Sequence, residues 1–233
     1  MPPKVYVLIP HYNNWTLTHT RLWELYKYCK EFIEEVIVID DGSTDNETEG
    51  GLRWWANFEK KYEFKVSFIQ TPENLNFLRA CNFGLQEICG RVQPEDIIVL
   101  LSNDAEIKTN FVGQLAQIIG QSGKVVIGGI LLSHDTGWNK FGNRLFPYLE
   151  GWLLGASVKS WAEIGQFDPR YAPSDYEDID WSTTALSLGY ELIALNNPGI
   201  HHLGAQTIGY NPKRLERTKL NQEKFEEKWC GDE

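Results

Sequence analysis

The chain has 233 residues, of which 42% are hydrophobic, and carries a formal net charge of −10. This length is enough for one α/β domain with a well-buried core. The acidic balance argues against a nucleic-acid-binding protein, which needs a basic surface, and against purely electrostatic adhesion to anionic lipid. No apolar run reaches the ~18–20 residues that are needed to cross a bilayer.

No signal peptide is visible either, because residues 2–4 lead directly into the first apolar run. We therefore expect no transmembrane segment and no nucleic-acid partner, and a location in the cytoplasm or at the cytoplasmic face of a membrane. The four cysteines, at positions 29, 81, 89 and 230, form no C-x-x-C pair and suit neither a zinc site nor a disulfide framework. The sequence leaves the oligomeric state open.

The first half of the chain alternates apolar runs with longer helical patterns. It predicts strand 4–9, helix 15–31, strand 35–40, helix 46–61, strand 64–69, helix 77–89 and strand 96–101. Such alternation implies right-handed crossovers and a largely parallel sheet with both faces covered. The predicted fold class is therefore α/β, with a mostly parallel central sheet flanked by helices.

The pattern after residue 107 is less regular. It predicts helix 109–120, strand 125–132, a loop at 133–149 rich in glycine, asparagine and aromatic residues, strand 152–158, helix 178–188, strand 190–195 and a charged C-terminal helix at 212–229. Nothing indicates a second domain. We therefore expect a single domain over 1–233, made of two halves, 1–107 and 108–210, and a C-terminal helix within 211–233.

Polar clusters follow three of the predicted strands directly, at 10–14, 40–45 and 102–106. In open α/β sheets, ligands bind at the C-terminal ends of the strands. A turn or a helix N-cap explains one such cluster, but it explains three clusters at the same edge less readily. The sequence therefore predicts a ligand site at this edge of the sheet.

Six segments, in this order along the chain, resemble the motifs of family 2 glycosyltransferases with the GT-A fold. They are PHYN at 10–13, IDDGSTD at 39–45, NLNFLRACNFG at 74–84, LLSND at 100–104, GQFD at 165–168 with YEDID at 176–180, and HHLGAQT at 201–207. The resemblance implies an inverting transferase that moves a sugar from a nucleotide-diphosphate donor to a saccharide hydroxyl, with Mn²⁺ or Mg²⁺, in polysaccharide or surface-glycan synthesis.

The resemblance makes residues 1–107 the donor half and 108–210 the acceptor half. It implies that the carboxylate of Asp41 accepts a hydrogen bond from the nucleobase and that Pro10 and Tyr12 line the base pocket. It places Asn103 in the donor site. It also places Arg79 where the family often contacts the donor phosphate or base, and a solvated helix face is the equal alternative for this arginine.

The resemblance also implies a metal site at Asp104, completed by His202. Mg²⁺ and Mn²⁺ take one or two carboxylates together with substrate phosphates, and the cation neutralises the leaving nucleoside diphosphate. His201 points to the opposite face if this segment is a strand, so we expect one of the two histidines at the site. For both histidines, a hydrogen-bonded structural role is the alternative.

Three positions depart from the family's pattern. Ser102 stands where the first acid of the metal-binding motif is expected, Asn76 replaces a common glycine, and Thr184 replaces a common arginine. The first departure concerns the metal ligands, and the other two concern contacts with the donor phosphates.

The acid-rich segment before the helix at 178–188 is the candidate catalytic segment. An inverting transfer needs one general base, and a carboxylate is the usual choice. Asp178 matches the family's base, Glu177 assists it, and Asp180 is a candidate ligand of the acceptor hydroxyl. These acids and Asp175 lie within six residues, so like-charge repulsion is expected to raise their pKa values. An acidic helix N-terminus is the alternative explanation.

Aromatic residues are abundant in the acceptor half, and sugars pack their apolar faces on aromatic rings. Trp138 and Trp152 are the candidates for acceptor binding, although most tryptophans are core residues. Two other functions remain open. One is a GT-A sugar nucleotidyltransferase. Such enzymes usually carry a glycine-rich, basic signature near the N-terminus, and its absence from this sequence argues against that function. The other is an inactive protein that binds nucleotide sugars or carbohydrate.

Overall fold

The computed structural model describes residues 2–204 and 212–231. Its strands are β1 (Val5–His11), β2 (Glu35–Asp40), β3 (Val66–Gln70), β4 (Ile97–Leu101), β5 (Ala105–Ile107), β6 (Val125–Gly128), β7 (Leu131–Leu132), β8 (Lys140–Phe141), β9 (Arg144–Leu145), β10 (Tyr148–Leu149), β11 (Leu153–Ser157), β12 (Glu191–Ala194) and β13 (Ile200–His202). Its α-helices are α1 (Trp15–Cys29), α2 (Asn46–Tyr62), α3 (Phe77–Cys89), α4 (Phe111–Gln121), α5 (Val158–Ile164), α6 (Glu177–Ser187) and α7 (Pro212–Cys230).

A seven-stranded sheet forms the centre of the molecule, in the order β12-β6-β11-β4-β1-β2-β3. Only β11 runs antiparallel to its two neighbours, β4 and β6, and the other neighbouring strands are parallel. The prediction of an α/β fold with a mostly parallel central sheet flanked by helices is confirmed. Because β1 to β4 come from the first half and β6, β11 and β12 from the second, one sheet joins both halves.

Both faces of the sheet carry a hydrophobic core, because successive residues of a strand point to opposite sides. Leu8 of β1 packs in the core that includes α3, whereas Val7 and Ile9 pack in the core that includes α1. A Cβ on Gly84 of α3 would lie 2.1 Å from Ile39 Cδ1. The glycine therefore allows α3 to lie close to β2.

The second half differs from the predicted elements in three places. The predicted strand at 125–132 is divided into β6 and β7, because Gly129 lies against the Trp152 ring and leaves the sheet there. The predicted loop at 133–149 contains the β8–β9 hairpin and β10, which pairs with β7. The strand predicted at 152–158 ends at Ser157, whose hydroxyl accepts a hydrogen bond from Ser160 N and begins the unpredicted helix α5. None of the helices in the described ranges is long and apolar enough to span a bilayer.

Candidate active site

A cavity of about 1080 Å³ opens where the parallel strands end. Ten of the residues predicted from the sequence line it: Pro10, Tyr12, Asp41, Asn103, Asp104, Trp138, Trp152, Glu177, Asp178 and His202. Arg79 and Asp180 lie outside this lining. The carboxyl ends of β1, β2 and β4 therefore bring together side chains that are far apart in the sequence.

The Asp41 carboxylate is buried and held by the segment that follows β3. Its Oδ1 accepts hydrogen bonds from Leu75 N at 2.7 Å and from Thr71 Oγ1 at 3.0 Å. Within the described residues nothing donates to its Oδ2. Gly42, at φ +71°, turns the chain directly after Asp41, and a Cβ there would lie 3.0 Å from Asn74 N. One oxygen of Asp41 therefore fixes the side chain, and the other remains available to a ligand.

The NLNFLRACNFG segment contributes to the structure of the site mainly through its backbone conformation and the hydrogen bonds of Asn82. Asn82 Nδ2 donates to Phe167 O at 2.7 Å, and its Oδ1 accepts from Phe167 N at 3.0 Å, which ties α3 to the GQFD segment. Asn76 has φ +70° and ψ 162°, a conformation that glycine adopts freely and that is strained for asparagine. Phe77 and Ala80 line the cavity, whereas Arg79 lies on the exposed side of α3.

Asp104 and His202 form a pair that faces the cavity. The short strands β5 and β13 pair antiparallel and place His202 opposite Ala105. As a result, His202 Nε2 lies 3.2 Å from Asp104 Oδ1. The His202 ring also stacks on Trp152, with centroids 5.3 Å apart and planes 10° apart. His201 pairs with Glu106 in the ladder and is not part of the cavity lining.

This pair fits a divalent cation that binds together with a phosphate group. The described residues contain no group of three or more His, Cys, Asp or Glu side chains able to hold a metal ion. One carboxylate and one imidazole leave several coordination positions to phosphate oxygens and water, as is common for Mg²⁺ sites. Ser102, which replaces an acid, donates a hydrogen bond to Asp104 Oδ1 at 2.5 Å and orients it.

Asp178 lies in the first turn of α6, with both carboxylate oxygens held by backbone N–H groups. Gly151 N donates to Oδ2 at 3.0 Å, and Ile179 N lies 2.9 Å from Oδ1. Burial raises the pKa of Asp178 to about 6, and the charges of Glu150 and Asp175 add to this effect. A carboxylate with such a pKa is ionised at neutral pH and accepts a proton readily.

Glu177, the neighbouring acid, has a different environment. Its side chain is buried, and its Oε2 has no hydrogen-bond partner among the described residues. Burial, followed by the charge of Asp178, raises the pKa of Glu177 well above its usual value. Burial therefore contributes more to both shifts than the like-charge repulsion that the sequence suggested.

Asp180 belongs to a buried network beneath the cavity. It accepts hydrogen bonds from Trp229 Nε1 at 2.7 Å and Tyr171 Oη at 3.2 Å, and it pairs with Lys228 Nζ at 2.8 Å. These partners connect α6 to α7. The structure thus places Asp180 away from the position expected for an acceptor ligand.

The two tryptophans lie in the cavity wall. The Trp138 carbonyl accepts a hydrogen bond from Tyr176 Oη at 2.6 Å. The Trp152 side chain is only 5% exposed, and its Nε1 donates to Glu150 Oε2 at 2.9 Å. Trp152 therefore supports His202 and Glu150, while a limited part of it remains accessible to a sugar.

Sequence reasoning missed several lining residues. Glu150 lies between the predicted loop at 133–149 and the predicted strand at 152–158, and Arg214 and Arg217 lie on a helix predicted only as a charged C-terminal element. His11 belongs to the first motif, but the sequence predicted no role for it. Its ring nitrogens lie 2.8 Å from Thr18 Oγ1 and 3.0 Å from Thr48 Oγ1. Burial lowers the pKa of His11, so this residue is neutral and ties the loop after β1 to α1 and α2.

The model of glycosyl transferase family 2 matches residues 6–176. The chain belongs to this family. The match includes Asp41 and Asp104 and ends one residue before Glu177, so α6, β13 and α7 lie outside it. A search among curated protein sequences finds no significant match.

Solved structures with the GT-A fold resemble this family 2 glycosyltransferase. GalNAc-T7, crystallised with UDP, GalNAc and Mn²⁺, is 15% identical with a TM-score of 0.65, and the match covers 82% of this chain and 42% of that protein. The mannosyltransferase PcManGT from Pyrobaculum calidifontis, in complex with GDP-Man and Mn²⁺, is 20% identical with a TM-score of 0.62, covering 83% and 55%. TarS from S. aureus is 17% identical with a TM-score of 0.58, covering 84% and 36%. The chain thus spans about a third to just over half the length of these proteins.

Proposed function

We propose that this protein is an inverting glycosyltransferase that moves a sugar from a nucleotide-diphosphate donor to a saccharide hydroxyl. The observation that supports this most strongly is the position of Asp178. This backbone-anchored carboxylate, with its pKa raised to about 6, faces the same cavity as Asp41 and the pair formed by Asp104 and His202. A base, a nucleotide contact and a cation pair are the parts that such a transfer requires.

The donor occupies the half of the cavity formed by the loops after β1, β2 and β4. The Asp41 Oδ2 accepts a hydrogen bond from the nucleobase, and Pro10 and Tyr12 pack against the base. Asn103 is buried and held by a hydrogen bond from its Nδ2 to Thr18 Oγ1 at 3.1 Å, which leaves its carbonyl oxygen for the donor. The nucleotides in the GalNAc-T7 and PcManGT structures support a nucleotide-sugar donor for this fold.

Asp104 and His202 hold Mn²⁺ or Mg²⁺ beside the donor diphosphate. When bound, the cation neutralises the charge that develops on the leaving nucleoside diphosphate. The short contact between the two side chains supports this assignment, as does the Mn²⁺ in two of the similar structures.

The acceptor hydroxyl lies against Asp178 and transfers its proton to this carboxylate as its oxygen attacks the anomeric carbon. Attack opposite the leaving diphosphate inverts that carbon. The N–H groups of Gly151 and Ile179 hold Asp178 in place before and after proton transfer. Trp138 and the exposed part of Trp152 contact the acceptor sugar, and a glycan acceptor supports a role in polysaccharide or surface-glycan synthesis.

The first test is a thermal-shift comparison of UDP, GDP, dTDP and CDP, each with and without Mn²⁺. A ligand that binds only the folded state raises the unfolding midpoint as its concentration exceeds the dissociation constant. We expect one nucleotide to stabilise the protein in a Mn²⁺-dependent way. The absence of a shift with all four would contradict the donor site.

The second test separates an enzyme from a binding protein. The selected nucleotide sugar is assayed for transfer and for slow hydrolysis with the wild type, Asp178→Asn and the control Asp135→Asn, in which the changed residue is exposed in the loop before β8. We expect Asp178→Asn to lose transfer while its nucleotide affinity is unchanged. Full transfer by Asp178→Asn would remove the base assignment, and nucleotide binding without any turnover by the wild type would favour the binding-protein alternative.

A further inference from the structure

The C-terminal helix α7 contacts the chain just before Asp178 through one carboxylate. Arg214 Nη2 donates to Asp175 Oδ1 at 2.6 Å, and Arg217 Nη2 donates to Asp175 Oδ2 at 3.1 Å. Thr218 Oγ1 adds a third hydrogen bond to Oδ2 at 3.0 Å. These contacts hold the pKa of Asp175 below its usual value despite burial. Asp175 is therefore an ionised anchor, three residues before the proposed base.

Asn221 of α7 holds the backbone of the same segment, residues 171–176, which we call the base loop. Its side chain is 1% exposed, although most of α7 faces solvent. Its Nδ2 lies 3.0, 3.1 and 2.9 Å from the carbonyl oxygens of Tyr171, Ser174 and Asp175. A buried amide is stable only when it is hydrogen-bonded, and here its partners are carbonyl groups of the base loop.

The same helix holds the chain on the other side of Asp178. Trp229 and Lys228 of α7 bind the buried carboxylate of Asp180, two residues after the base. Phe225 is fully buried, and its ring lies 5.6 Å from that of Tyr176. Helix α7 thus contacts both flanks of Asp178, whose own hydrogen bonds come from backbone N–H groups elsewhere.

The base loop needs such support because its local conformation is unfavourable. Asp175 and Tyr176 have consecutive positive φ values of +77° and +80°, which non-glycine residues rarely adopt. Helix α6 also begins without a side-chain cap, since Tyr176 makes no capping hydrogen bond. A backbone of this kind persists only where the surrounding structure fixes it. Helix α7 supplies the contacts to Asp175, while Trp138 O and Leu78 N hydrogen-bond to Tyr176 Oη and Pro173 O.

We propose that α7 is a positioning element for the general base, in which Asn221 and the Asp175 ion pairs hold the base loop so that Asp178 faces the acceptor hydroxyl. This inference rests on the proposed function. Asn221, Lys228 and Trp229 are positioning residues, because they act through the base loop and Asp180 without facing the reacting atoms. The family match ends at Tyr176, so the element that fixes the base lies outside the matched region.

The test compares the full-length wild type with Asn221→Ala. We expect kcat to fall by about tenfold or more, since small displacements of a catalytic group are costly, with the donor KM and the nucleotide dissociation constant unchanged. Hydrogen exchange of the base-loop amides should rise in the same variant. Trp229→Phe, which removes the N–H donor to Asp180 together with part of the indole ring, should give a smaller loss of kcat and is a second variant if Asn221→Ala does not fold.

Two controls separate positioning from general destabilisation. Lys219→Ala changes an exposed residue on α7, and Phe64→Leu reduces a buried side chain in the core on the opposite face of the sheet. Both variants should have the wild-type kcat and the wild-type rate of hydrogen exchange at the base-loop amides, at temperatures well below their unfolding midpoints. An equal loss of kcat in Phe64→Leu, or a wild-type kcat in Asn221→Ala, would overturn the positioning role.

The outcomes also separate this inference from the proposed function. If the wild type binds nucleotide but transfers no sugar, the proposed function fails, and the positioning role fails with it. If the wild type transfers sugar but Asn221→Ala shows unchanged base-loop exchange and unchanged kcat, only the positioning role fails. Increased exchange with unchanged kcat would show that α7 supports the loop without positioning the base, and it would also overturn the inference.

Discussion

Replacing the proposed base with its amide should stabilise the protein while it removes transfer. The pKa of Asp178 is raised from 3.8 to about 6, chiefly by burial. At ~1.4 kcal/mol per pH unit, this difference means that the ionised carboxylate costs the folded state about 3 kcal/mol. Asn cannot ionise, so Asp178→Asn removes that cost.

The stabilisation is reduced by one lost hydrogen bond. The carboxylate accepts from Gly151 N through one oxygen and lies close to Ile179 N through the other, whereas an amide offers one carbonyl oxygen. Leaving one N–H group without its acceptor costs about 1–2 kcal/mol. We therefore expect Asp178→Asn to be more stable than the wild type by about 1–2 kcal/mol at pH 7.5, which raises the unfolding midpoint by about 2–8 °C for a chain of this size.

The pH dependence distinguishes this mechanism from a general packing effect. For an acid whose pKa is raised in the folded protein, the cost is absent below pH ~4, grows up to pH ~6 and is constant above it. Urea unfolding of the wild type and Asp178→Asn at pH 4, 6 and 7.5 measures this profile. Asp180→Asn is the matched control, because it removes the buried one of the two carboxylates that pair with Lys228, the other being Asp168, and should destabilise. A variant at Asp178 that is less stable than the wild type at pH 7.5 would refute the reasoning.

Three further substitutions test separate parts of the site and fold. Gly151→Ala places a Cβ 3.2 Å from Asp178 Cβ, and steady-state kinetics should show kcat reduced by about tenfold with nucleotide affinity unchanged. Asp41→Asn replaces an ionised acceptor with an amide, and calorimetric titration should show nucleotide affinity reduced by about tenfold, since bonds to charged groups are the stronger ones. Gly84→Ala would place a Cβ 2.1 Å from Ile39 Cδ1, so urea unfolding should show a loss of about 1–3 kcal/mol, while kcat per folded molecule stays constant.

The positions of Asp41 and Asp104 could be predicted because their determinants are local. Asp41 and Asp104 each follow a buried strand within a few residues, and parallel strands deliver such residues to one edge of the sheet. The family motifs cover the same segments. The strand pattern and the resemblance therefore agree on the positions of these residues.

Helical geometry accounts for the position of Arg79, whereas the position of Asp180 depends on distant partners. On α3, Phe77 and Ala80 are three residues apart and line the cavity together, whereas Arg79 projects to solvent, which was the alternative expected for it. Asp180 directly follows the lining residues 177–179 of α6, but its carboxylate is bonded to Trp229 and Lys228 of α7.

The role of α7 could not be predicted from the sequence. Its charged pattern correctly indicates a helix that is largely exposed, but its decisive contacts join residues 46–50 positions apart, from Asn221 to the base loop. No local pattern distinguishes this buried asparagine from a solvated one. Likewise, the sequence does not show that two arginines on one helix share the carboxylate of Asp175.

The charge balance of the cavity supports the proposal that a cation binds together with the donor. Asp41, Asp104 and Asp178 lie in the lining, and a nucleoside diphosphate adds further negative charge. In the described parts of the chain, the lysine and arginine side chains of this lining are Arg214 and Arg217, and both are bonded to Asp175. These arginines contact the base loop, so under the proposed function neutralising the diphosphate would fall to a cation at Asp104 and His202. This division between the two ends of the cavity would allow an acidic protein to bind an acidic donor.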